Sequence, residues 1–242
     1  MIAAMLLLLS AASASGAPSG SLFGISLVEG KGGASIGIPM QITILMTLLA
    51  LLPAAIMSVT PFLRISVVLH FLRQALGTQT VPSNQVLVGL SMFLTMLVVS
   101  PVLSQIHAEA WIPMEQGTLT PEQAIEAAGK PLKTFLERYA REKDIRLFLE
   151  ISHAPAPRTP DDLELKVLIP AYIISELKTG FQIGAVLFLP FLVIDIVVAS
   201  VTVSVGMMQL PPVMLSAPFK ILLFVLVDGW NLLIGSLIKS FY

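Results

Sequence analysis

The sequence predicts an all-α fold: a multi-pass helical membrane protein with kinked helical hairpins and a helical insertion on the exported side. Three observations carry this. Apolar residues make up 55% of the 242 and charged residues 12%, where soluble domains average about 45–50% and about 25%. Four segments of bilayer-crossing length hold almost no charge. Of the 29 charged side chains, 21 fall between residues 107 and 180. So little polar surface cannot cover one soluble globule, and the balance is the reverse of a disordered chain. A net charge of −1 offers no basic field to a nucleic acid. With no cysteine, disulfides, thiolate catalysis and iron–sulfur clusters are excluded.

Residues 1–14 read as a cleaved signal peptide. Ile2–Leu9 is an unbroken apolar run, too short to span a bilayer, and Ala12-Ser13-Ala14 fits the small-x-small cleavage pattern, so the mature chain is expected to begin at Ser15. Residues 15–38 read as a flexible segment. Lys31 there is followed by Gly32, so no nucleotide-binding P-loop is formed.

Residues 39–106 hold the first two apolar helical segments with a basic link. Met40–Val59 is uncharged and long enough for one crossing, with Pro53 as a kink. Thr60-Pro61 starts a second piece, Phe62–Leu76, carrying Arg64, His70 and Arg73. A turn at 77–83 leads to Gln85–Ile106, again uncharged, with Ser83 or Asn84 as the helix cap.

Residues 107–180 form a charged helical region. Thr120-Pro121-Glu122-Gln123 is a helix start, with Thr as cap and Pro in the first turn. Gly129-Lys130-Pro131 is expected to interrupt that helix, and Leu132–Ile151 to follow as an amphipathic one. Thr159 with Pro160-Asp161-Asp162 is expected to start another.

Residues 181–242 hold the last two apolar segments. Phe181–Met208 contains Pro190 and one charge, Asp195, and ends before Pro211-Pro212. Ile221–Ile238 contains Asp228 and Gly235. Arg64 and Arg73, with no acid between them, place their link in the cytoplasm, which makes 107–180 periplasmic.

No catalytic constellation is present. His70, His107 and His153 are scattered, without ligand spacing, and no nucleophile elbow occurs. No metal or cofactor site and no enzymatic activity is expected. A carboxylate in an apolar run is costly, so Asp195 and Asp228 stand out. Two readings are open: a proton relay, or pairing with Arg64, Lys220 or a neighbouring chain. Met207 and Met208, at the Pro-Pro break, are adaptable apolar side chains suited either to core packing or to closing an irregular gap.

Two longer stretches sharpen this. Pro170-Ala-Tyr-Ile-Ile-Ser-Glu-Leu-Lys-Thr-Gly-Phe-Gln-Ile-Gly184 and Pro218-Phe-Lys-Ile-Leu-Leu-Phe-Val-Leu-Val-Asp-Gly-Trp230 resemble the two signatures of the FliP/SctR family. That family supplies core export-gate proteins of type III secretion. The order of the apolar runs and the ending Gly235-Ser-Leu-Ile-Lys-Ser-Phe-Tyr242 agree. The signal-like start and long charged excursion resemble its flagellar branch. The resemblance implies a non-enzymatic pore in the bacterial inner membrane, at the flagellar basal body. It implies a ring of five copies with the FliQ and FliR proteins and other export-apparatus proteins, passing unfolded flagellar subunits as cargo. It maps a methionine-rich pore constriction onto Met207 and Met208, with Gln209 where many relatives have a third methionine. Arg64, Asp195, Lys220 and Asp228 are then expected to be buried charges that hold the assembly together. The rival reading is an ion-coupled secondary transporter using Asp195 and Asp228, which would show paired repeats with broken helices; no repeat is evident.

Overall fold

The computed structural model describes residues 38–78, 80–153, 157, 162–206 and 211–242. The expected signal peptide and most of the flexible segment lie outside these residues, as do Met207, Met208 and Gln209. The described residues are all-α. Contacts divide the chain into residues 1–49 and 50–242, and α1 (Ile38–Ser58) begins in the first unit and ends in the second. It runs through Pro53, and from Met40 onward its side chains in the apolar window are exposed.

The second unit is built around one long helix. After α1 come α2 (Phe62–Ala75) and α3 (Asn84–Ile106). A π-helical turn, His107–Trp111, and a short α turn, Ile112–Glu115, carry α3 onward. Then follow α4 (Pro121–Tyr139), α5 (Glu142–Ser152), α6 (Leu165–Ser204), α7 (Pro212–Leu226) and α8 (Gly229–Lys239). With 40 residues α6 is about 60 Å long, twice a hydrocarbon core. Its first part packs on α2, α4 and α5, and its last part on α7. α1, α3 with its extension, and α6 are each long and apolar enough to cross a membrane; α7 with α8, bent by 69°, forms a fourth candidate.

Glycine lets α6 sit closely on α2. A Cβ on Gly180 would lie 3.2 Å from Val67, and one on Gly184 would lie 2.5 Å from Phe71 Cγ. Small residues four apart give two helices a shared seam without requiring a hydrophobic driving force. Around it Ile65, Val68, Leu69, Leu72, Leu168 and Tyr172 are buried.

Several expected boundaries move. The break expected at Gly129-Lys130-Pro131 does not occur, because α4 runs through a buried Pro131. A proline removes one donor and kinks a helix, but packing can hold it. Leu132–Ile151 is not one helix. The break falls at Ala140 and Arg141, both extended, where the Arg141 amide donates to Ser175 Oγ at 2.9 Å. The third apolar run is not separate from the charged region, since α6 passes residue 180 unbroken and ends at Ser204, before left-handed Gly206. Likewise the second run continues past Ile106. A change from apolar to charged residues alters the medium a helix suits, not its backbone. The fourth run is broken at Asp228, itself left-handed. The Thr120 start has the expected cap: Thr120 and Gln123 exchange side-chain-to-backbone bonds. The Thr159 start lies outside the described residues.

Gly184→Ala should destabilise the detergent-solubilised protein by about 1–3 kcal/mol, the usual cost of overpacking. Gly129→Ala, where a Cβ meets nothing within 4 Å, should be neutral or raise stability by up to about 1 kcal/mol. Thermal unfolding of both variants measures the contrast.

Candidate functional site: buried charge pairs on the long helix

One face of α6 carries Tyr172, Ser175, Glu176 and Gly180, all buried. Arg64 enters this face from the first turn of α2. Its Nε donates to Glu176 Oε2 at 2.9 Å, and its Nη2 donates to Oε1. The pair is therefore two-pronged, the geometry in which a guanidinium best matches a carboxylate. Their side chains are 4% and 0% exposed. Arg64 Nη1 also donates to the Ser240 carbonyl (3.0 Å) and hydroxyl (3.1 Å). The guanidinium lies 4.0 Å from the Phe241 ring centre and 5.5 Å from that of Tyr139. Tyr139 donates its hydroxyl to the Phe241 carbonyl at 2.6 Å. Burial pushes the Tyr139 phenol up, against the opposing charges of Arg138 and Arg64, which keeps it protonated as this bond requires. One cation thus joins α2, α6 and the end of the chain.

A second cluster sits beside it. Asp144 on α5 is buried and accepts from Ser175 Oγ at 2.8 Å and from Lys178 Nζ. Arg141 donates through Nη2 to Thr179 Oγ1 (2.9 Å) and Gln182 Oε1 (2.6 Å). Burial alone would raise the Asp144 carboxyl. The hydrogen bonds from Lys178 and Ser175, with the charges of Lys178 and Arg141, outweigh it and hold the carboxyl below its ordinary value.

The third cluster lies farther along α6. Lys220 of α7, 1% exposed, donates to Asp195 Oδ2 at 2.6 Å, and Ser216 donates to Oδ1 at 2.5 Å. Phe224 meets Phe191 one turn on. Asp228 is different. It is exposed at the α7–α8 bend, and among the described residues its carboxylate has no ion-pair or hydrogen-bond partner. Gly229 follows because a Cβ there would strike the Phe224 ring at 2.2 Å.

The structure thus brings Asp195 and Lys220 together, gives Arg64 a partner that the sequence reading did not assign, and leaves Asp228 outside. Glu176 was legible only as part of the first signature; counted with the charged region, it was not read as buried. Arg64 was counted as a loop base for topology. It is instead a buried helix residue paired with Glu176 and set over the Tyr139 ring, which leaves Arg73 as the base that carries the topology expectation. The sequence reading also missed Tyr139, Arg141 and Asp144, whose partners are 31 to 102 residues away.

Comparisons with known proteins fit this pattern. The model of the FliP family matches residues 45–237. A flagellar biosynthetic protein FliP from Pectobacterium carotovorum subsp. carotovorum is 50% identical over 212 residues, covering 88% of this chain and 82% of that one. The Bacillus subtilis protein of the same name is 44% identical over 217 residues, covering 90% and 98%. That of Caulobacter vibrioides is 47% identical over 201 residues, covering 83% and 76%. The chain belongs to the FliP family.

Arg64→Ala strands the Glu176 carboxylate and should cost about 3–5 kcal/mol, whereas Arg64→Met with Glu176→Leu together should cost far less. Recovery of folded protein and its thermal unfolding test this. Asp144 gives a pH prediction. A carboxyl lowered in the folded state contributes fully above its ordinary 3.8. That contribution is lost as pH falls through the lower folded value. Asp144→Asn should flatten this part of the acid limb of stability.

Proposed function

We propose that this FliP-family chain is a core component of the flagellar type III protein export gate, forming part of a pore that passes unfolded flagellar subunits across the bacterial inner membrane at the flagellar basal body. The observation that carries the reading is the match of residues 45–237 to the FliP family, with relatives named flagellar biosynthetic proteins. The two signature stretches also supply one side of each buried charge cluster: Glu176, Ser175 and Lys178 from the first, Lys220 from the second. Further copies in a ring of five, the FliQ and FliR proteins and the other export-apparatus proteins are its proposed partners. Its role is that of a conduit rather than an enzyme, with 107–165 on the periplasmic side.

The transporter reading has less support. Asp195 is neutralised by Lys220 within the chain, which favours a packing role for it over a free proton carrier.

The pore constriction is assigned to Met207, Met208 and Gln209. An idle channel wide enough for a polypeptide must exclude ions, and an apolar ring can do this by dewetting. Thioethers fill such a ring and yield to cargo of any sequence. Met207→Ala with Met208→Ala should assemble normally but leak small ions and slow growth, while Leu at both positions should keep the seal. Ion-uptake measurements on cells expressing the gate read this out. An assembled Ala/Ala gate as tight as the wild type would remove the assignment.

A further inference from the structure

The α4–α5 hairpin points its turn along α6 toward the apolar half of that helix. α4 runs parallel to α6: the Phe135 ring is 6.2 Å from that of Tyr172, and one turn on, Tyr139 lies against the Arg64 guanidinium that holds Glu176. α5 runs back. Its first residues lie farther along α6 than its later ones, since Arg141 meets Thr179 and Gln182 whereas Asp144 meets Ser175 and Lys178. The turn at Ala140 and Arg141 is thus the part of this hairpin that reaches farthest along α6, and Gln182 marks its limit.

Beyond that limit α6 changes character. From Gln182 to its end at Ser204 it spans about 33 Å, the thickness of one hydrocarbon core. Steps of four, three, four and four residues from Gln182 follow one face of the helix. They give Val186, Leu189, Val193 and Val197, each more than half exposed.

The turn itself is basic. Arg138, Arg141, Lys143, Arg146 and Lys178 stand against Glu137, Glu142 and Asp144. Asp144 is held by Lys178, and Glu142 by Arg146; Glu137 is half-buried on α4. Arg141 reaches only uncharged acceptors, and only through Nη2 and its backbone amide, so Nε and Nη1 are left to donate. Arg138 and Lys143, on either side of it in the chain, are exposed. As the residue that opens α5, Arg141 gives the first amides of that helix no side-chain acceptor, so the positive end of the helix adds to the same place.

The two halves fit one kind of ligand, an anion at the turn joined to a long apolar chain beyond it. Guanidinium groups match phosphate oxygens two-pronged, and bases at a membrane boundary attract anionic headgroups. A free phosphate would use the turn but not the valines. An apolar helix would use the valines but not the bases. We propose that the α4–α5 turn and the face of α6 beyond it bind one anionic phospholipid, its phosphate held by Arg138, Arg141 and Lys143 and an acyl chain lying along Val186, Leu189 and Val193. With 107–165 on the periplasmic side, this lipid belongs to the periplasmic leaflet. The site depends on α6 crossing the bilayer and not on the ring or the pore.

The test uses the full-length protein in maltoside micelles, stripped of lipid and then given dioleoyl phosphatidylglycerol or dioleoyl phosphatidylcholine, with retained lipid counted by native mass spectrometry. One phosphatidylglycerol per chain should be retained, and phosphatidylcholine, whose choline cation meets the arginines, far less. Arg138→Gln with Lys143→Gln, both at exposed positions, should weaken retention about tenfold or more, as the loss of two bases near a headgroup does. Lys166→Gln, exposed near the start of α6, should leave it unchanged. Inorganic phosphate should not displace the lipid. In cells that carry the other export proteins, a photoreactive amino acid in place of Val193 should give an adduct with the mass of a phospholipid. Equal retention of the two lipids, unchanged retention in the double variant, an equal loss with Lys166→Gln, displacement by phosphate, or a Val193 adduct to a protein would each overturn the proposal.

Discussion

The contact on which the second unit depends is the Arg64–Glu176 pair. Both partners are shut away from water, and the remaining donors of Arg64 are used on Ser240. A buried charge pair seldom adds much stability over apolar residues of the same shape. Its value lies in the alternatives it forbids. With the carboxylate fixed on α6, α2 cannot slide by a turn without stranding it. With the Ser240 carbonyl fixed on the same guanidinium, α8 cannot drift away from either. The Phe241 and Tyr139 rings cover the cation, so the site is closed from the periphery as well.

How much of this was readable beforehand depends on what kind of signal each feature sends. Helices α1 and α2 fall within two residues of the expected segments, because apolar length and Thr60-Pro61 are local facts. The capping box at Thr120 is local too. The misplaced boundaries share a cause. Composition was read as a backbone break at residues 106 and 180, yet nothing at either place disfavours helical dihedrals, and the helices continue. The break at Ala140 and Arg141 had no local warning, since Ser175, its partner, is 34 residues away.

The charges tell the same story. Asp195 with Lys220 was one of the pairings left open, and both stood out as charges in apolar segments. Glu176 hid because it sits among other charges, where a carboxylate looks solvated. Only the three-dimensional face of α6 separates it from Lys178, which is half exposed while Glu176 is not exposed at all. Arg64 misled for the converse reason: a base between two apolar runs reads as a loop marker until its helix is seen to pack.

These features answer a common problem. Apolar side chains on α1, α3 and the end of α6 are exposed in the single chain. Among lipid tails they gain nothing by finding one another, so burial of apolar area cannot choose one helix register over another. The information must come from contacts that lipid cannot replace. Close glycine approaches are one kind, as at Gly184 on Phe71, where van der Waals fit is lost with a shift of one residue. Charge pairs are the other, because an unpaired ion in an apolar medium is penalised far more than a poorly packed leucine. Both kinds recur on α6 at spacings near the helical repeat, at 176, 180, 184 and 195. A register among apolar neighbours has to be specified repeatedly along a helix, and the first signature stretch carries three of these positions, 176, 180 and 184.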